Sequence, residues 1–253
     1  MAKLIWDEIG KRTFEMGDRN VALFPYADAE RSVTIGSKTY KTPYDVGVAW
    51  NGITAMTESP SGAEATDLWA DDIKYATMRS AEQFGGTIEA YTYPDEWMDC
   101  DGSAEVTTGV ILGQQRRKAF GLAYITTVGN DTLQNDYGEK IHLIYGATAS
   151  PSERSYATIN DSPDAITFSW EYETTPVDVG TIGGVEYKKV SCITVDKVKV
   201  VNVGTNGAED ATKLALWNSF KDLVFGKDNS TASSTDGNDP TLPMPADVIA
   251  FFQ

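Results

Sequence analysis

The stretch A-I-T-F-S-W-E-Y-E-T-T (residues 165–175) decides the fold class of this chain. Ile166, Phe168, Trp170 and Tyr172 alternate with Thr167, Ser169, Glu171 and Glu173, so a strand here has one apolar face and one polar, acidic face. Residues 140–147 repeat the pattern with Ile141, Leu143 and Tyr145 on one side, and residues 118–127 repeat it with Phe120, Leu122 and Tyr124. Residues 73–78, 87–93 and 191–203, rich in β-branched and aromatic side chains, are further strand candidates. Gly129-Asn130-Asp131, Asn160-Asp161-Ser162-Pro163 and Gly183-Gly184 supply turns between them.

Two helices interrupt the strands. Pro94 opens a short one, with Asp95 and Glu96 at its positive end and Gly102 just beyond it. The second is expected over residues 208–225, with Glu209 and Asp210 in its first turn, an apolar stripe of Leu214, Trp217, Phe220, Leu223 and Val224, and Gly226 at C′. Together these elements predict a mainly β fold, a two-sheet sandwich or barrel flanked by an amphipathic helix. Residues 1–226 form the domain, and 227–241 (K-D-N-S-T-A-S-S-T-D-G-N-D-P-T) read as a flexible linker with little to bury. Residues 242–253 form a C-terminal arm whose two prolines keep its start extended. Its apolar Leu242, Met244, Val248, Ile249, Phe251 and Phe252 must dock either on their own domain or on a neighbour, and the domain is expected to survive its removal.

Composition excludes several function classes. The chain has 253 residues and a formal charge of −16, which repels nucleic-acid phosphate rather than binding it. No apolar run reaches the length of a membrane span, so no membrane partner is expected. The N-terminal M-A-K-L-I-W-D shows no signal peptide, and synthesis in the cytoplasm is expected. In that setting Cys100 and Cys192 read as reduced core residues.

No constellation for chemistry stands out. His142, the only histidine, lies opposite Ile141 and Leu143 with no G-x-S-x-G elbow in the chain, and reads as a solvated or hydrogen-bonded strand residue. One His and two distant Cys cannot supply a zinc site. Asp99-Cys100-Asp101-Gly102 matches the centre of a calcium loop, but Trp97 and Thr108 occupy its end positions. The pairs Asp71-Asp72 and Glu171/Glu173 are numerous enough in kind to be solvent-face carboxylates. Arg116-Arg117-Lys118 is the sole dense basic run and reads as a strand-edge gatekeeper or an interface pair. No enzyme activity and no cofactor are expected.

Several ordered segments carry a resemblance: G-V-A-W-N-G-I (47–53), E-S-P-S-G-A-E (58–64), A-D-D-I-K-Y (70–75), I-E-A-Y-T-Y-P-D-E (88–96), C-D-G-S-A-E (100–105), G-Q-Q-R-R-K-A-F-G-L (113–122), H-L-I-Y-G (142–146) and I-N-D-S-P-D-A-I-T-F-S-W-E (159–171). W-D-E-I-G-K-R (6–12) and L-P-M-P-A-D-V-I-A-F-F (242–252) add to it with less specificity. Over most of its length the chain resembles the major tail, or tail tube, proteins of long-tailed siphophages. Residues 27–46 depart from the pattern as a hairpin or loop expansion, and the linker is longer.

The resemblance implies a tail-tube-type β-sandwich that self-assembles into stacked, hexameric rings around a lumen in the virion tail. Its partners would be further copies of itself, a tape-measure protein, tail-tip or baseplate proteins and tail-terminator proteins. Double-stranded DNA would pass through during ejection. The polar residues Thr167, Ser169, Glu171 and Glu173 are then expected to face the lumen, where acidity repels phosphates and leaves the channel slippery. The arm residues Leu242, Met244, Val248, Ile249, Phe251 and Phe252 are expected to help assembly. Two rivals stand beside this reading. One is a carbohydrate-binding or hydrolytic module at the tail tip; the other is a capsid or head–tail joining protein.

Overall fold

A computed structural model describes residues 4, 6–35, 38–156, 158, 165–204, 206–231 and 237–253. At its centre β12 (Phe120–Asn130) pairs antiparallel with β1 (Thr13–Ile35) on one side and β13 (Gln134–Ala149) on the other. Over residues 21–24, 120–125 and 143–147 these strands are buried on both faces because their apolar residues are continuous: Leu23, Leu122 and Ile144 enter one core, and Phe24, Ala123, Leu143 and Tyr145 enter the other. β1 pairs β12 up to Pro25, then leaves it and pairs β2 (Lys38–Tyr44) from Tyr26 onward. The stretch 27–46 therefore holds an antiparallel pairing of Arg31–Ile35 with Lys38–Thr42. β3 (Val48–Ala49) lies against Ala22 and Leu23.

The remaining large strands cover one face. β13 bends at Gly146, where φ is +60° and an added Cβ would stand 2.3 Å from the Thr175 carbonyl oxygen. Beyond the bend β13 pairs β14 (Phe168–Thr174), which pairs β9 (Gly85–Ala90), which pairs β4 (Ile53–Glu58). Before it, β13 pairs β17 (Cys192–Asp196). Among the described residues, nine strands thus form one antiparallel sheet. Where two large sheets are expected there is one, whose β13 pairs β17 before Gly146 and β14 after it. Trp50, Trp97 and Trp170 fill the space inside the fold with ring centroids 4.6–5.6 Å apart. Trp97 belongs to α1 (Trp97–Asp101), which ends on the left-handed Gly102 as expected.

Eight short strands make four hairpins or extensions. β5 (Ser61–Gly62) pairs β8 (Glu82–Gln83), β6 (Ala65–Ala70) pairs β7 (Ile73–Arg79), β10 (Ala104–Thr107) pairs β11 (Val110–Leu112), and β15 (Thr181–Ile182) pairs β16 (Val185–Glu186). The turn expected at residues 160–163 lies outside the described residues.

Helices cover the other face. The strand expected over 191–203 ends at Asp196, whose carboxylate caps α2 (Lys197–Val200) by accepting from the Val198 and Lys199 amides. Asp210 caps α3 (Ala211–Phe225) in the same way, so it precedes the first turn instead of lying in it. Trp217, Phe220, Leu223 and Val224 of α3 are buried against the sheet.

The C-terminal segment departs most from expectation. It turns back onto its own domain and ends in α4 (Pro245–Phe252), with Pro245 in the first turn. Leu242 and Val248 are fully buried beside Phe24, Tyr44, Tyr145 and Phe220, while Met244, Ile249, Phe251 and Phe252 are half-buried. The Thr42 hydroxyl donates to Leu242 O (2.8 Å) and the Tyr145 hydroxyl to Pro243 O (2.9 Å). Of the two docking sites expected for the segment, its own domain is the one it occupies, as part of the core. The linker before it is tied at both described ends by backbone bonds between Lys227 and Asn238; residues 232–236 lie outside the description.

Candidate functional site

The outer face of β14, β9 and β4 is the first candidate surface. Trp170 and Tyr172 point inward, so Glu171 and Glu173 point outward and are exposed. Register aligns Glu171 with Thr87 and Thr57, and Ser169 with Glu89 and Ala55. This gives a polar sheet face carrying three carboxylates. Two details differ from the sequence reading. The strand starts at Phe168, where its ladder to Ala90 ends, so Thr167 precedes it and is exposed. Ile166, expected on the buried face, also lies before the strand and is 38% exposed.

The second surface is the excursion between β4 and β9. The ladder runs outward through the Ser59 amide donating to Gly85 O, then β5/β8, then β6/β7. Asp71 and Asp72 make its turn with φ of +52° and +61°, which Asp tolerates better than most residues. Every residue of β6 is exposed, and in β7 only Ala76 is not. Trp69 is 69% and Tyr75 74% exposed, alongside Leu68, Ile73 and Met78. A two-stranded hairpin alone is marginal in water, and so many large apolar groups on one mark a surface that something else covers. The strand expected at 73–78 is present as β7, and its projection from the sheet is a further feature. The signal was Asp71-Asp72, a turn between two β-rich runs.

The lone histidine sits in a polar knot where five strands meet. The Thr126 hydroxyl donates to Glu15 (2.6 Å), so His142 Nε2–H donates to Thr126 (2.9 Å) and Nδ1 faces the Thr194 hydroxyl (3.3 Å). Tyr124 stacks on the ring at 4.7 Å and donates to Glu58 (2.5 Å), while Lys140 pairs with Glu15. Burial lowers the His142 pKa, outweighing the opposing pull of Glu58 and Glu15. No serine, threonine or cysteine here has both a base and an oxyanion donor, so the knot reads as a hydrogen-bonded seam. A folded-state pKa below 6.5 means the unfolded chain binds the extra proton first. The contribution of His142 to stability is then present above pH 6.5 and lost as pH falls through the folded value. Thermal midpoints between pH 5 and 8 should fall on the acid side in the parent and less so in His142→Gln; parallel profiles would contradict this.

The other sequence candidates are structural. Asp99 pairs with Lys118 (3.3 Å) and Asp101 with Arg154, so neither is left for calcium. Among the described residues no three His, Cys, Asp or Glu side chains converge on one point. Cys100 is buried, and burial, first, with nearby Asp99 pushes its thiol up to about 12. Cys192 is exposed at the start of β17, not in the core. Among the described residues, no helix is long and apolar enough to cross a membrane. No protein-family model and no curated protein matches this sequence.

Proposed function

We propose that this protein is a non-enzymatic virion component that self-assembles into stacked, hexameric rings as the tail tube of a long, non-contractile-tailed bacteriophage. The observation that carries the self-assembly step is the β6/β7 hairpin, whose large apolar residues Leu68, Trp69, Ile73, Tyr75 and Met78 are all exposed. Burying Trp69 and Tyr75 in a second copy would supply about 1.5–3 kcal/mol for each large side chain, reduced by ordering costs. The further exposed Val106, Val110, Ile111 and Leu112 on β10/β11 suit the same role. The tail-tube step rests on the sequence resemblance. The outward row of Glu89, Glu171 and Glu173 supports it, since an acidic face turned to a lumen would let DNA pass without binding. A tape-measure protein, tail-tip proteins and terminator proteins are the corresponding partners.

A carbohydrate platform needs exposed aromatics lining a groove. Trp50, Trp97, Trp170 and Trp217 are buried instead, and Trp69 stands on a projecting hairpin. Negative-stain microscopy of concentrated protein tests the proposal: rings or tubes are expected. Trp69→Ser with Tyr75→Ser should abolish them while leaving the thermal midpoint of the monomer unchanged. In the assembled structure Glu171 and Glu173 should line the channel; finding both on the outer surface would exclude them as lining.

A further inference from the structure

We infer that the Asp71–Asp72 tip of one copy's hairpin docks on Arg116 and Arg117 of another copy. This rests on the self-assembly reading and names the receiving surface. Both halves are unsatisfied among the described residues of one chain. Asp71 and Asp72 have no ion pair or hydrogen bond among the described residues, while Asp67, further down the hairpin, is paired with Lys74. Arg116 is exposed with no carboxylate partner, and Arg117 is half-buried with its Nε unpartnered. Lys118 beside them is already shared by Asp28 and Asp99, which leaves the two guanidiniums as the free charge.

Charge argues for this surface over others. With 37 acidic and 21 basic residues, an acidic tip landing at random on another copy meets mostly its own sign. The arginines border a depression of about 550 Å³ with Tyr26 on its wall, where Lys118 offsets the lining carboxylates Asp28 and Asp99, which gives a tip somewhere to sit. The main competitor is Lys188-Lys189, exposed and equally without carboxylate partners. Guanidinium binds carboxylate in a bidentate fork that an ammonium cannot copy, so the arginines are favoured. The hairpin has the reach: from Glu58 to Asp71 the chain spans up to roughly 40 Å. Because each copy carries one tip and one receiving site, the contact propagates into a ring or stack unless two copies close on each other.

The test measures the concentration at which assembly begins, by sedimentation and negative stain. Asp71→Asn with Asp72→Gly keeps the turn and removes the charge; it should raise the onset about tenfold, equivalent to about 1.4 kcal/mol. Arg116→Glu should do the same, and added salt should raise the onset of the parent but not of either variant. A second measurement does not depend on the energy of the contact. With Cys192→Ser as background, Asp72→Cys and Arg116→Cys together should give a ladder of disulfide-linked copies on oxidation. An unchanged onset in both charge variants, no ladder from assembled protein, or an effect seen only with Lys188→Glu and Lys189→Glu would overturn the pairing and leave self-assembly standing. Parent protein that stays monomeric at every concentration would overturn both.

Discussion

Cutting the chain after Gly226 is expected to leave the domain unfolded or to lower its thermal midpoint by roughly 8–16 °C, for a net loss of about 4 kcal/mol. The reason is that the C-terminal segment completes the core beneath α3. Leu242 is fully buried and Val248 nearly so, each contributing about 1.5–3 kcal/mol. Removing the segment also strands the Tyr145 and Thr42 hydroxyls, which are buried and would lose their carbonyl acceptors at about 1–3 kcal/mol each. The chain entropy recovered on deleting a tethered segment offsets part of this. Phe220 would lose the ring contacts of Phe251 (5.4 Å) and Phe252 (4.9 Å).

Two point variants separate packing from chain length. Leu242→Ala should cost about 2–5 kcal/mol in chemical denaturation. Gly121→Ala attacks the same contact from the sheet side, since a Cβ there would stand 2.3 Å from Leu242 Cδ2. A truncated protein that melts with the parent, together with a harmless Leu242→Ala, would show that the segment leaves the domain in solution.

The same segment shows how far the sequence could be read. Its apolar content announced burial, but nothing in L-P-M-P-A-D-V-I-A-F-F says whose core receives it. That depends on Gly121 and Thr42, which are about 120 and 200 residues away. Strands with one buried face were legible because alternation is a local signal: β14 from Trp170 and Tyr172, and the start of the β13 pattern from Ile141 and Leu143. β1 was not legible. Its run over residues 21–24 is buried on both faces and so does not alternate, and Asp18, Pro25 and the acidic residues Asp28 and Glu30 break it up. The second half of the 191–203 run misled for a related reason. Valines suit a strand, yet Asp196 caps a helix with its side chain and ends the ladder to Lys140 there.

The candidate surfaces divide in the same way. The outward direction of Glu171 and Glu173 followed from period two alone. The exposure of Trp69 and Tyr75 could not follow from sequence, because an apolar residue in a strand reads as core until its neighbours are known. What distinguishes them is the exposure of nearly every residue of β6/β7, a property of the whole fold.

Replacing Glu139 by alanine is the largest single-residue effect expected on the polar side of the core. Glu139 lies on β13 with its side chain 11% exposed, and it accepts hydrogen bonds from three residues on two elements. Trp217 Nε1 of α3 donates at 3.0 Å, Lys221 Nζ of α3 at 2.9 and 3.0 Å, and Arg19 of β1 at 2.8 Å. Burial alone would raise its pKa, but the hydrogen bonds from Lys221 and Trp217 and the charges of Lys221 and Arg19 outweigh it and hold the carboxyl below 4.5. Breaking such a buried pair costs about 3–5 kcal/mol. The lower end is expected, because Arg19 and Lys221 are 52% and 33% exposed and can rehydrate, leaving the buried Trp217 indole as the main orphan. Glu139→Gln keeps an acceptor for Trp217 and should cost less than the alanine variant. The pH signature is distinct from that of His142. A depressed folded-state pKa gives stability that is present above pH 4.5 and lost as pH falls through the folded value, so the parent should show an acid limb there that both variants flatten. If denaturation at pH 7 finds Glu139→Ala within about 0.5 kcal/mol of the parent, the range of ordinary surface changes, the carboxylate does not tie α3 to the sheet.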